Sequence, residues 1–109
     1  MHEGFYAIAF QVGENVGHGV LHLNEGRVRG GDSRLYYLGN YTFDGDNFTA
    51  EVATDAHAKI PGMNALFGQD IIHITLQGLF TGDEATLTGT AKEAPTVKFV
   101  ASLKKLAPQ

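Results

Sequence analysis

Cysteine and tryptophan are both missing from this 109-residue chain, and proline occurs only three times. Without cysteine there is no disulfide framework, no thiolate zinc site and no thiol nucleophile. Basic residues are also scarce: eight Lys and Arg stand against twelve Asp and Glu, for a net charge of −4. That balance, with no basic helix to enter a groove, argues against direct nucleic-acid binding. The small Lys98, Lys104 and Lys105 group reads as a solvated strand face. No apolar run approaches the roughly 20 residues that a membrane-spanning helix needs. The opening MHEGFYAIAF lacks a basic region followed by an apolar core, so no secretory signal is expected and the predicted location is cytoplasmic.

What is present is β-type patterning. The chain is 43% apolar and 18% charged, an ordinary globular balance, and its length suits one domain over residues 1–109. Fourteen glycines are scattered rather than periodic, which suits many tight turns. Residues 5–12 alternate Tyr6, Ile8, Phe10 and Val12 with Phe5, Ala7, Ala9 and Gln11. Both faces of that strand are mainly apolar. Residues 17–24 set Leu21 and Leu23 against His18, Val20 and His22.

Further strands are expected over 27–30, 35–43, 48–57, 70–80 and 85–92. A last one is expected over 97–106, with Pro95 as the break before it. The turns between them are Asn24-Glu25-Gly26, Asp44-Gly45-Asp46-Asn47 and Thr81-Gly82-Asp83-Glu84. Glycines 30 and 31 interrupt a strand-like stretch, as they do where a sheet bends sharply. Pro61 and Gly68 bracket a single helical turn near residues 61–67.

About eight strands joined in sequence by short turns predict an all-β fold. The expected form is a small up-and-down eight-stranded antiparallel barrel, with a two-sheet sandwich as the alternative.

The residues offer little chemistry. His18 and His22 are four apart, which on a strand means about 13 Å, too far to share an ion directly. His57 and His73 lie on consecutive strands, but their register is not fixed by sequence. The acidic neighbours are turn residues or lie on solvated strand faces. Gly30-Gly31-Asp32 lacks the Lys-Ser/Thr and following helix of a phosphate loop. Neither Ser33 nor Ser102 has a base and an orienting group proposed by the pattern. No metal, no cofactor and no catalytic set is expected.

Three groups remain as candidate sites. The predicted interior is lined by Tyr6, Ile8, Phe10, Leu21, Leu23, Tyr37, Ile72, Ile74, Leu76 and Phe99. These side chains either fill the barrel or surround one small apolar molecule. Met63, Leu66 and Phe67 form a possible lid over such a cavity. Phe5, Ala7 and Ala9, apolar on the outward face of the first strand, form a possible homodimer seam.

The order of features also resembles a known family. YAIAF, then GHGVLHLNEGRVRGGDS, then YLGNYTF, an acidic turn, an Ile60-Pro61 pair and a long strand after Gln69-Asp70 resemble the GrlR-like negative regulators of type III secretion. The resemblance covers roughly residues 4–80. Absence of tryptophan meanwhile removes the Gly-x-Trp signature of classical lipocalins. What the resemblance implies is a lipocalin-like barrel with an apolar cavity, a homodimer, and a non-catalytic role in which a transcriptional regulator is bound and restrained. The family's acidic surface loop corresponds to the turn at 44–47, where Asp44 and Asp46 alone carry the charge.

Overall fold

The structure, a computed structural model, describes residues 2–58 and 70–108. Eight strands follow one another: β1 (Gly4–Val12), β2 (Asn15–Asn24), β3 (Arg27–Gly31), β4 (Leu35–Asp44), β5 (Asn47–Ala56), β6 (Ile72–Thr81), β7 (Glu84–Ala91) and β8 (Ala94–Ala107). Each pairs antiparallel with the next, and β8 returns to pair with β1, so the sheet closes into a barrel. That closure excludes the sandwich. The predicted helical turn and its Met63, Leu66 and Phe67 fall outside the described residues.

Alternation decides which side chains go inside. On β6, Ile72, Ile74, Leu76 and Phe80 are buried while His73, Thr75, Gln77 and Leu79 face out. The same period places Tyr6, Ile8 and Phe10 from β1, and Phe99, Ala101 and Leu103 from β8, in one core. Curvature needs backbones to approach closely. At Gly39 a Cβ would lie 2.0 Å from the Glu51 carbonyl oxygen on the paired strand, so no larger residue fits that bend without a backbone shift.

The barrel has two ends. The β2–β3, β4–β5 and β6–β7 turns lie at the lower end, with the outer termini of β1 and β8. There Glu25 and Gly26 both adopt positive φ (51° and 78°), as a twist-compatible two-residue hairpin turn requires. At the upper end lie the β1–β2 turn, residues 32–34, the long β5–β6 connection and the β7–β8 turn.

One boundary differs from the sequence expectation. Pro95 does not separate strands; it lies inside β8, which starts at Ala94. The β7–β8 register runs Gly89↔Phe99 and then Ala91↔Ala94, so the ladder is irregular where Pro95 falls. A proline lacking an N–H is tolerated at such an interruption.

Candidate functional site

All ten side chains expected to line the interior point inward and are buried, Tyr6 and Leu23 completely. Among the described residues, the void bordered by Leu21, Leu23, Tyr37 and Leu76 has a volume of about 20 Å³. That is room for about one water molecule. Tyr6, Ile8, Phe10, Ile72, Ile74 and Phe99 pack elsewhere in the core. Phe10 stacks on Phe99 at 5.9 Å and meets Tyr37 edge-on at 6.4 Å.

Phe10 and Tyr37 take this arrangement because two inward positions of β2 are glycine. A Cβ on Gly17 would sit 2.5 Å from the Phe10 ring, and one on Gly19 would sit 2.7 Å from the Tyr37 hydroxyl. The space those glycines leave is where the Tyr37 hydroxyl reaches Asp32. That carboxylate accepts from the Arg34 and Leu35 amides through Oδ1 (2.8 and 2.7 Å) and from the Tyr37 hydroxyl through Oδ2. Burial first, and then the Asp32 carboxylate, push the Tyr37 hydroxyl well above the ordinary tyrosine range, so it stays a donor.

Around it, Arg34 grips Asp70 with two bonds, Nε to Oδ1 at 2.7 Å and a second to Oδ2 at 3.2 Å. Thr54 donates to the Asp70 carbonyl at 2.7 Å, and His57 Nε2 lies 2.7 Å from the Asp32 carbonyl. Each partner in this upper-end cluster is consumed by another. Among the described residues no three His, Cys, Asp or Glu side chains converge to hold a metal.

Asp44 and Asp46 flank and form the tip of the β4–β5 hairpin, both exposed at the lower end. They are not equivalent. Asp46 Oδ1 is 3.2 Å from His2 Nε2, and its carbonyl accepts from the Phe80 amide. The His2 ring in turn lies 4.5 Å from both Phe43 and Phe80. Asp46 therefore helps seat the chain over the barrel's lower mouth, while Asp44 faces solvent.

Phe5, Ala7 and Ala9 do face outward on β1, Phe5 46% exposed and the two alanines half-buried. The register sets them beside His22, Val20 and His18 of β2. With Gln11 and Val16, the outward positions of both strands contain no Asp, Glu, Lys or Arg. Val16 and Val20 are 58% and 54% exposed. The Phe5 ring stacks on His22 at 4.4 Å.

The sequence reading missed a further pair on the outer face. Glu93, in the β7–β8 turn, accepts from the His73 amide at 2.7 Å and lies 2.5 Å from His73 Nδ1. The His73 hydrogen bond holds the Glu93 carboxyl down at about 2. Only the register of β6 against β7 brings residues 73 and 93 together, and no spacing rule in the sequence announces it. No protein-family model and no curated protein matches the chain. Among the described residues no helix is long and apolar enough to cross a membrane.

Proposed function

We propose that this protein is a non-catalytic regulatory or adaptor protein, cytoplasmic and homodimeric, that binds a protein partner such as a transcriptional regulator. The observation that carries this reading is the outer face of β1 and β2. Eight consecutive outward positions there bear no formal charge in a chain that is 18% charged, and Phe5, Val16 and Val20 lie about half-exposed on it. Such a patch is typical of a protein–protein contact. Because it lies on one continuous pair of strands, a two-fold axis through it sets the same patch on both copies.

The likeness to the GrlR-like regulators supports the same role. By that likeness Asp44 is the residue of the acidic turn that is free to meet a partner, since Asp46 is engaged with His2. The alternative is an apolar ligand held inside the barrel, where the described void beside Tyr37 is about 20 Å³.

The test is the oligomeric state by sedimentation, alongside an Ala9→Glu variant. Ala9 faces solvent between His18 and Ser102, where a carboxylate is accommodated in the monomer. The wild type is expected to be a dimer at high micromolar concentration. The variant is expected to be a monomer with unchanged circular dichroism and thermal midpoint. A wild type that stays monomeric at that concentration removes the seam.

A further inference from the structure

A groove of about 410 Å³ runs over the outer face of β2 and β3, lined by His22, Asn24, Glu25, Arg27 and Arg29. Arg27 and Arg29 are exposed and project from the same side of β3, two residues apart, which spaces their Cα atoms by about 7 Å. The ladders fix their surroundings. Arg29 stands opposite His22 and Leu38, and Arg27 stands opposite Asn24 and Asn40. The outward diagonal neighbours add Val20, Tyr36 and Thr42. None of these carries negative charge.

This placement runs against the rest of the molecule. Acids outnumber bases twelve to eight, and Arg34 on the other side of β3 has Asp70. Yet neither Arg27 nor Arg29 has an ion-pair partner among the described residues. Glu25, in the hairpin turn, also lines the groove, and the Glu3 carboxylate accepts from its amide at 2.9 Å. His22 is backed by the Phe5 ring, which fixes the imidazole against the groove wall. Two guanidinium forks, an amide and a held imidazole share one recess.

We infer that this groove is an anion site for a phosphate group. Arginine at both positions suits it, because each planar fork donates two parallel hydrogen bonds to oxygens of one phosphate, which lysine cannot do. Two arginines match the two charges of a phosphomonoester. Asn24 supplies a further donor. Val20 and Leu38, each about half-exposed, form an apolar bank beside it. The phosphate belongs either to a soluble phosphomonoester or to the headgroup of a phospholipid lying on that bank. The two arginines stand on β3, outside the uncharged β1–β2 face, with which the groove shares Val20 and His22.

The experiment titrates the isotope-labelled full chain with inorganic phosphate at constant ionic strength, followed by amide and arginine Nε shifts. Saturable changes centred on residues 22–29 are expected. Arg27→Gln and Arg29→Gln are each expected to weaken phosphate about tenfold, and together to abolish it. The thermal midpoint of the double variant is expected to hold, because neither guanidinium has an ion-pair partner to lose among the described residues. Lys98→Gln, a distant exposed cation, is expected to leave phosphate binding unchanged. A parallel arm measures co-sedimentation with phosphatidylcholine vesicles containing or lacking phosphatidic acid. Binding to the phosphatidic acid vesicles that needs both arginines, and that free phosphate displaces, assigns the headgroup. Binding of free phosphate without vesicle binding assigns the soluble compound. No saturable response in either arm, or one that is equal in the double variant or equally weakened by Lys98→Gln, overturns the site.

Discussion

At the lower end of the barrel, Phe43, Phe48 and Phe80 pack with centroids 5.2–5.6 Å apart, Tyr6 meets Phe80 edge-on, and the His2 ring lies across the mouth. At the upper end, Asp32, Arg34, Tyr37, Thr54, His57 and Asp70 knit the connections together with hydrogen bonds. The difference follows from the connections. Two-residue turns bring strand ends close enough for large rings to touch, and apolar contact then suffices. Outside the ladders the Arg34 amide and the Asp70 carbonyl have no strand partner, and the side chains of Asp32 and Thr54 take them. One end is sealed by area and the other by directional bonds.

The largest expected effect comes from breaking the sealed end. Phe80 is 2% exposed and touches four other rings, so Phe80→Ala is expected to cost about 3–5 kcal/mol in urea denaturation. The tied end is expected to be softer. Tyr37→Phe removes one hydrogen bond to a carboxylate and leaves Asp32 Oδ2 without that donor, a loss of about 2 kcal/mol by the same measurement. Should Tyr37→Phe prove the costlier of the two, the upper cluster rather than the aromatic seal governs the stability of the barrel.

How far each end was legible in the sequence differs for the same reason. Alternation places Ile72, Ile74 and Leu76 inside without any three-dimensional information, because a strand's period alone determines it. It also splits the tyrosine-rich strand: Tyr37, Tyr41 and Phe43 turn inward while Tyr36 is 41% exposed. The Asp32 carboxylate is different. Its role depends on Tyr37 arriving over Gly19, a residue of another strand, and its neighbour Arg34 pairs with Asp70, 36 positions further along the chain. Neither distance is a period. Pro95 was misplaced because a local breaker rule was applied where a register shift had already made room for a residue without an N–H. Arg27 and Arg29 look like ordinary surface charges until the ladder sets uncharged residues opposite both of them.

The smallest effect is confined to acid. Glu93 titrates near 2 in the folded chain, chiefly through its bond to His73, against 4.5 for an ordinary carboxyl. The unfolded chain thus takes up this proton first. The contribution of Glu93 is fully present above 4.5 and is lost as pH falls toward about 2. Glu93→Gln is expected to flatten the fall of the thermal midpoint over that window and to leave the aromatic end unaffected. A wild-type slope retained in the variant would place the acid sensitivity elsewhere.

The pairing of β1 with β8 has a kinetic meaning of its own. Seven of the eight ladders join neighbours along the chain and zip up from their turns, but Phe5 meets Ala107 across nearly the whole sequence. Closing that seam requires the chain to give up the most freedom for its first contact, so it belongs late in folding. Until it closes, β1 presents an unpaired backbone edge together with the uncharged face of Phe5, Ala7 and Ala9. The open barrel is then a template for strand addition by another copy. For this molecule, the speed of one closing step sets how long that template is on offer during each folding event.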